Sequence, residues 1–402
     1  MKTKIIIGLL TVAALGACDN SSEEPSINIP ETYSFEREGQ STVSFSGQTA
    51  RIGMAQELIE SMTNFNSSET SLLEMYRNET ADGGDANPYE DQSLNESIKS
   101  VRNKVAASND FFSANTVESL LVKNEFETWI SNQVTEVFPN EEVVATPGVA
   151  GQLADGTSTR YVNGQGLEYN QLVNKGLIGA LMLDQILNNY LSTEVLDAGD
   201  NVENNNNDIL EDGKPYTTME HKWDEAYGYL YGASVNAANP NETLGTDDSF
   251  LNKYLASVDE DPDFTGIADD IFNAFKTGRA AITNKSYDLR DEQIAILREK
   301  LSLVLAVRAV HYLQAGKSSI EAQDMGAAFH DLSEAYGFIY SLRFTRVPNT
   351  NSSFYTREEV DTMLEALLSD GENGLWNVSP ATLQLLSEDI AGAFGFTTEQ
   401  SL

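Results

Sequence analysis

Apolar positions recur at three-to-four-residue spacing along most of the chain, the period of one buried face of an α-helix. This spacing predicts helices over residues 52–65, 93–107 and 116–137. A longer helix is predicted over residues 167–195; it is apolar on most sides, which is typical of the centre of a helical bundle. Later helices are predicted at 217–235, 248–258, 266–282, 289–315, 319–344, 356–369 and 380–394.

Three stretches lack the helical period. Residues 33–45 place aromatic and β-branched side chains around Glu38-Gly39, which predicts a short β-hairpin. Residues 146–166 are rich in glycine and residues 197–213 are acidic and rich in asparagine, so both are predicted as loops. Strands and helices do not alternate. The sequence therefore predicts an all-α fold with a short N-terminal β-hairpin.

One internal repeat stands out. Residues 221–231 and 330–340 share the pattern H-x-x-x-E-A-Y-G-x-x-Y, and each copy follows a long apolar helix. The repeat predicts a duplicated helical bundle with a pseudo-two-fold axis. The hairpin and first bundle would occupy residues 33–236, and the second bundle residues 237–402.

Each copy of the repeat places a histidine and a glutamate four residues apart, on one face of a helix. Imidazole and carboxylate together suit iron or zinc, and the pseudo-symmetry could bring both pairs to one centre. The candidate metal ligands are His221, Glu225, His330 and Glu334, with Asp224 and Tyr227 as possible additional ligands.

Two other interpretations of the repeat stay open. A histidine–glutamate hydrogen bond can fix helix packing without any ligand, and the same pair could perform acid–base catalysis. No H-E-x-x-H or G-x-S-x-G motif is present, so the residues favour a binding protein over an enzyme. Gly228 and Gly337 continue the two faces. Because a glycine inside a helix costs about 1 kcal/mol relative to alanine, we expect another helix or a bound molecule to approach closely there.

Two other candidate sites carry less weight. His311 lies in an apolar helical segment and is predicted to be packed there, with a ligand role as the alternative. Residues 259–263 resemble a calcium loop, but Phe264 stands where the sharp turn needs glycine and Pro262 lies inside. Calcium is therefore not expected.

The charge of the chain excludes one class of partner. It has 62 acidic and 25 basic residues, a net charge of −37, so nucleic acid is not expected as a ligand. Much of the acid falls in predicted loops, as a solubilising coat or as a field that attracts cations. The single cysteine excludes a disulfide framework.

The N-terminal residues predict where in the cell the protein is located. Lys2 and Lys4 precede an apolar run, residues 5–15, that is too short to span a bilayer, and it ends in Leu-Gly-Ala-Cys18. This is typical of a lipoprotein signal peptide, residues 1–17, with the lipid on Cys18 and an acidic tether over 18–32. We expect an outer-membrane lipoprotein, on the cell surface or the periplasmic face. An ordinary secretory signal is the alternative.

The segments 33–37, 43–51, 176–180 and 221–228 resemble those of a Bacteroidota lipoprotein family, domain of unknown function number 4856. The resemblance covers essentially the whole mature chain. Members of that family are often encoded beside imelysin-like proteins and TonB-dependent receptors, which implies a part in iron or haem acquisition.

The chain is also similar in plan to imelysins, which have two helical bundles and the pattern Gly-x-His-x-x-Glu. Here Met219 stands at the glycine position and Asp224 at the glutamate position, with Glu225 next. The expected function is binding of a metal ion or metal chelate at the envelope, together with a TonB-dependent receptor and an imelysin-like partner. The alternatives are a glycan- or peptide-binding lipoprotein and a hydrolase. A glycan-binding protein would expose an aromatic platform, built from Trp129, Trp223 or Trp376.

Overall fold

The computed structural model describes residues 27–112 and 116–402. The predicted signal peptide, Cys18 and the first part of the tether lie outside the described residues. The predicted hairpin is confirmed: β1 (Glu36–Arg37) pairs antiparallel with β2 (Gln40–Ser41). Both turn residues, Glu38 and Gly39, have positive φ, at 53° and 77°. Two such residues match the right-handed twist of a tight hairpin.

The remainder of the described chain is mainly helical, and the predicted fold class is confirmed. Its α-helices are α1 (Ser46–Ser61), α2 (Glu69–Arg77), α3 (Gln92–Asn95), α4 (Asn109–Phe112), α5 (Thr116–Asn132), α6 (Tyr169–Leu177), α7 (Thr193–Leu196), α8 (Asn201–Asn206), α9 (Thr218–Tyr231), α10 (Leu251–Asp259), α11 (Ile267–Thr283), α12 (Tyr287–Glu321), α13 (Met325–Ser341), α14 (Arg357–Leu368) and α15 (Pro380–Phe394). Wider π-helical turns cover Gln133–Val137, Ile178–Leu183 and Ile186–Tyr190.

Helix starts in the second half of the chain follow local capping chemistry. Thr217 caps α9 and Thr356 caps α14; in each case the glutamate three residues later bonds back to the threonine N–H. Such capping boxes satisfy N–H groups that a helix end leaves without partners. The seven helices predicted from residue 217 onward are all present, and α12 extends beyond its predicted range to Glu321.

Two predictions for the first half are wrong. Residues 93–107 do not form one helix, because the Asn95 side chain binds both the N–H (2.9 Å) and the carbonyl (2.8 Å) of Tyr89. An asparagine used in this way competes with the helical backbone. The predicted loop at 146–166 contains an antiparallel hairpin, β3 (Gly151–Asp155) and β4 (Ser158–Val162).

Two smaller differences concern helices that were not predicted. The segment 197–213 contains α8, and its Asn205 is buried with Nδ2 donating to the Ile282 carbonyl at 2.9 Å. Helix α2 was also not predicted. Ser68 caps it, and Leu72 and Met75 are buried on one face.

The helix predicted over residues 167–195 is observed as α6, two π-helical turns and α7, and most of it lies in the interior. Every residue from Leu172 to Asn188 is buried, as expected of a segment at the centre of a bundle, although the polar Asn174, Lys175 and Asp184 are among them. Helix α6 packs against α13, and α12 packs against α11, α13 and α15, around one hydrophobic cluster. The segments on either side of residue 236 therefore contact each other extensively. The domain division there and the pseudo-two-fold axis stay predictions. Among the described residues, no helix is both long and apolar enough to cross a membrane.

Candidate functional site

The histidine and glutamate of the first repeat copy have separate protein partners. His221 Nδ1 lies 3.1 Å from the Ser44 carbonyl oxygen, and its ring stacks on Tyr216 with the centroids 4.7 Å apart. Glu225 accepts hydrogen bonds from Lys222 Nζ at 2.8 Å and Gln48 Nε2 at 3.1 Å. Both glutamate oxygens and one imidazole nitrogen are thus engaged within the protein.

Burial and neighbouring charges set the protonation of this pair. Burial lowers the pKa of His221, and the nearby Glu225 carboxylate only partly opposes this. Burial acts in the opposite sense on Glu225, but Lys222, His221 and Gln48 together outweigh it and lower the pKa of that carboxyl. At neutral pH the site therefore holds a neutral imidazole beside an ion pair.

Asp224 and Tyr227 bind other parts of the chain. Asp224 is fully buried and accepts from Tyr33 OH (2.7 Å), the Ser44 N–H (3.2 Å) and Arg279 Nε (3.1 Å). Burial raises the pKa of Asp224 to about 6, although the Arg279 guanidinium acts against the rise. Tyr227 stacks on the Tyr33 ring at 3.6 Å and donates to the Ala237 carbonyl at 2.6 Å.

In the second copy the predicted pair is in contact. His330 Nε2 lies 3.6 Å from Glu334 Oε1, and its Nδ1 lies 3.2 Å from Glu168 Oε1. Glu334 is only 5% exposed, and the Lys175 ammonium lies 3.1 Å from its Oε1. Burial lowers the pKa of His330, but the two carboxylates outweigh burial and raise it above the usual value. The second copy is thus a buried network of two carboxylates, one imidazole and one ammonium.

The two copies therefore contact different segments of the chain. Ser44 and Gln48 belong to the N-terminal segment, whereas Glu168 and Lys175 lie at α6. Within residues 27–112 and 116–402, no group of three or more His, Cys, Asp and Glu side chains is arranged to hold a metal ion. Metal ligation by His221, Glu225, His330 and Glu334 stays a prediction.

The glycine of each copy allows another segment to approach closely, as predicted. A Cβ on Gly228 would overlap Phe45, at the start of α1. A Cβ on Gly337 would lie 2.5 Å from Lys175 Cβ on α6. In both copies the approaching group is protein.

A groove of about 1090 Å³ lies beside the hairpin. One wall is formed by residues 33–57, the hairpin segment and most of α1; the other comes from residues 91–99 and 237–238. The wall is mainly apolar, with hydroxyl groups and few charges; its side chains include Val43, Phe45, Ala50, Leu94, Ser44, Thr49, Glu57 and Lys99.

Side chains of the first repeat copy, on α9, contact the backbone and side chains of residues that line this groove. His221 and Asp224 both bind the Ser44 backbone, and Tyr227 binds Tyr33 and Ala237. Ser44, Tyr33 and Ala237 all line the groove. His221, Asp224 and Tyr227 of the first copy are therefore positioning residues for a cavity that sequence reasoning missed. The available signal was the segment 33–51, which is rich in aromatic and hydroxyl side chains but lacks a helical period over its first half.

A carboxylate of the first wall fixes the loop before α3, which leads into the opposite wall. Glu57 on α1 accepts the N–H groups of Glu90 at 2.7 Å and Asp91 at 3.0 Å. Asp91 in turn caps α3 through the Ser93 N–H at 2.8 Å. The groove is thus bounded on both sides by segments that side-chain hydrogen bonds tie down.

The remaining candidates are packed elsewhere. His311 Nδ1 lies 2.8 Å from the Ser401 carbonyl, which confirms it as a packed helix residue. In the acidic segment 259–263, Asp259 accepts backbone N–H groups of the following turn. Trp223 is fully buried and donates to the Phe275 carbonyl at 3.0 Å. The other two tryptophans are half-buried and pack against the core, so the three do not form an exposed aromatic platform.

Fold and site together define an all-α protein with a ligand-sized groove between its N-terminal hairpin segment and the bundle. Residues 30–397 match the family described as Domain of unknown function (DUF4856), and the chain belongs to that family. No curated protein and no solved structure matches the chain.

Proposed function

We propose that the protein is a lipid-anchored protein of the cell envelope that binds a small organic ligand of the metal-chelate class in the groove. The observation that carries the proposal is the groove itself. Its volume of about 1090 Å³ and its mainly apolar wall with dispersed polar groups are characteristic of a small-molecule site. The groove adjoins the repeat motif, and three side chains of that motif position its wall.

The geometry favours an intact chelate over a bare metal ion. A bare ion needs several protein donors that converge, but the candidate donors already bind protein groups. In the second copy the Lys175 ammonium occupies the vicinity of Glu334, 3.1 Å from its Oε1. A chelate brings its own donor atoms to the metal. It needs only shape, apolar contact and hydrogen bonds from the protein, which the groove can offer.

The proposed cellular role follows from the N-terminus and from the family resemblance. A lipid on Cys18 would anchor the chain, and the acidic tether of residues 18–32 would extend to about 50 Å at most. The groove could then present its ligand to a TonB-dependent receptor, with an imelysin-like protein as a further partner. This arrangement accounts for an anchored protein that binds its ligand at the envelope.

A glycan is the second candidate ligand. The observation that favours it is the number of hydroxyl side chains at the groove: Ser34, Ser41, Ser44, Ser46, Thr49, Ser93 and Ser97. Hydroxyl groups can both donate and accept hydrogen bonds, as sugar recognition requires. The same groove would then hold a saccharide, and no metal would be needed.

The test is direct binding by the full mature chain, purified in detergent. Ferric citrate, a ferric catecholate and haemin would be titrated by calorimetry, beside Zn²⁺, Fe³⁺ alone and a set of oligosaccharides. Ala50→Trp fills the groove, whereas Ala393→Trp adds the same side chain at an exposed position of α15. We expect one chelate to bind, Ala50→Trp to abolish binding, and Ala393→Trp to leave it unchanged.

Two outcomes would overturn the proposal. If no chelate binds more tightly than about millimolar, the proposed ligand class is wrong, and oligosaccharide binding that Ala50→Trp abolishes would establish the alternative. If Zn²⁺ or Fe³⁺ alone binds equally well to the parent protein and to Ala50→Trp, the groove is not the binding site.

A further inference from the structure

Four basic side chains gather beside the groove of this strongly acidic protein. Lys104 and Lys222 place their ammonium groups 5.3 and 5.6 Å from the centroid of one ring, that of Tyr190. Gln48 connects this ring to α1, because its Nε2 lies 3.4 Å from the Tyr190 hydroxyl and 3.1 Å from Glu225 Oε1.

The other two basic groups meet at the edge of the groove. A Cβ built on Gly47 would lie 3.1 Å from Lys99 Cε and 3.6 Å from Arg51 Nη1. Gly47 and Lys99 both line the groove, and Gly47 is followed directly by Gln48. The basic cluster, defined as Arg51, Lys99, Lys104 and Lys222, therefore adjoins the groove at Gly47 and Lys99.

Among the described residues, only one of the four basic side chains has an acidic ion-pair partner. Lys222 forms an ion pair with Glu225 at 2.8 Å. Arg51 donates to two backbone carbonyls, of Ser100 at 3.0 Å and of Gly47 at 3.2 Å. Within residues 27–112 and 116–402, neither Arg51 nor Lys99 nor Lys104 has a carboxylate oxygen within ion-pair distance.

Such a concentration of positive charge opposes folding unless something compensates for it. Burial lowers the pKa of Lys104, and Arg51, Lys222 and Lys99 lower it further, with Glu225 alone acting in the opposite sense. The chain carries only 25 basic residues against 62 acidic ones. Glu57 and Asp91 also line the groove, but Glu57 lies ten residues along α1 from Gly47, which is about 15 Å of helix. The end of the groove at Gly47 and Lys99 therefore has four basic side chains and the Glu225 carboxylate, the reverse of the average surface, and like charges so placed repel each other.

We propose that the basic cluster binds an anionic oxygen group, a carboxylate or a phosphate, of the ligand that occupies the groove. Lys99 would make first contact at the groove edge, because its flexible stem carries a compact charge with three donors. Arg51, which is buried and fixed by two carbonyls, would supply the permanent charge behind it. The inference deepens the proposed function and rests on it in one respect, that the occupant of the groove is a small organic molecule.

The cluster also makes the site selective. A bare cation is repelled by this end of the groove, and a neutral saccharide gains nothing from it. A chelate with outward-facing carboxylates, or a phosphorylated or acidic small molecule, gains a charge-assisted hydrogen bond at each ammonium that it reaches. The acidic remainder of the surface would hold other anions away from competing positions.

The test uses three probes: citrate, inorganic pyrophosphate and ferric citrate. Each would be titrated by calorimetry into the full mature chain at low and at high salt. The variants are Lys99→Gln, Lys104→Gln and their combination, with Lys317→Gln as a matched control on α12, where the amine binds Gln384. Lys104→Arg keeps the charge and guards against a purely structural effect. Thermal unfolding of each variant reports on folding.

We expect at least one anion to bind, with each Lys→Gln change weakening binding about three- to tenfold and the combination weakening it further. Lys317→Gln and Lys104→Arg should bind like the parent protein, and added salt should reduce the differences between the charge variants. Preference for citrate would identify a carboxylate, and preference for pyrophosphate a phosphate.

Two results would overturn the inference. In one, ferric citrate binds and is blocked by Ala50→Trp but is unaffected by the lysine variants; the proposed function then stands and the anion site is wrong. In the other, none of the three probes binds even at low salt. Conversely, if lysine-dependent binding of citrate or pyrophosphate occurs while no chelate binds, the anion site stands and the metal-chelate function falls.

Discussion

Removal of the Arg279 guanidinium tests the buried network that supports the groove. Arg279 has no exposed surface and donates to Asp224 at 3.1 Å, Glu220 at 3.1 Å and the Thr42 hydroxyl at 3.0 Å. Arg279→Met keeps much of the side-chain volume but leaves the Asp224 carboxyl buried without its cation. Breaking a buried pair from one side costs about 3–5 kcal/mol, a large part of the usual total of about 5–15 kcal/mol.

A matched control and a second substitution test whether this loss in the free energy of unfolding comes from the buried ion pair. Arg357 pairs with Glu125 at 3.1 Å, but the two side chains are 28% and 32% exposed. Arg357→Met should therefore cost only about 0–1 kcal/mol. Combining Arg279→Met with Asp224→Asn removes the unpaired charge as well, so the double variant should be less destabilised than the sum of the single changes.

Urea unfolding, followed by circular dichroism and extrapolated to zero denaturant, measures these free energies of unfolding. Chelate titrations on the same samples report on the groove, because Asp224 also holds Ser44 and Tyr33. A cost below about 1 kcal/mol for Arg279→Met, or strict additivity in the double variant, would refute the account of the network as a coupled buried ion pair.

Further predictions concern the histidines and glycines of the repeat. The pKa of His330 is raised in the folded protein, so His330 stabilises the fold below pH 6.5 and this contribution is lost as pH rises through its folded-state pKa. The pKa of His221 is lowered in the folded protein, so its contribution to stability is lost as pH falls below 6.5. Melting temperatures relative to the parent would be measured at pH 5.5 and at pH 8. His330→Gln should be more destabilising at pH 5.5, and His221→Gln should be more destabilising at pH 8. Equal shifts at the two pH values would contradict the assigned environments. Gly228→Ala should cost about 1–3 kcal/mol, because its Cβ overlaps Phe45. Gly392→Ala, with open space around it on α15, should gain up to about 1 kcal/mol, and denaturant midpoints would expose any failure of this contrast.

Local signals were sufficient wherever neighbouring residues decide the structure. The hairpin follows from Glu38-Gly39, and α9 and α14 begin at threonine caps with a glutamate three residues later. The same reasoning failed over 93–107, where Asn95 binds the Tyr89 backbone and thereby ends the helix early. Hydrophobic periodicity does not reveal such a contact, because it is made by a polar side chain with the backbone of an earlier loop.

The repeat identified important residues but did not reveal what they do. Identical spacing puts histidine and glutamate on one helix face in both copies, yet His221 meets a carbonyl 177 residues earlier and His330 meets a carboxylate 162 residues earlier. Burial lowers the pKa of His221, and its carbonyl partner does not reverse this, whereas the carboxylates of Glu168 and Glu334 outweigh burial and raise the pKa of His330. Spacing alone therefore could not distinguish a packing contact from a ligand.

The sequence by itself determined the all-α fold class, the helix positions of the second half, the hairpin and the membership of one family. Tertiary structure alone decided that residues 33–57, 91–99 and 237–238 meet as a groove, and that four basic side chains gather at its edge in a chain of net charge −37. The physical reason is the distance along the chain over which each kind of interaction acts. Helical period and capping act over a few residues, whereas cavities and electrostatic fields arise from groups that only the packing of distant segments brings together.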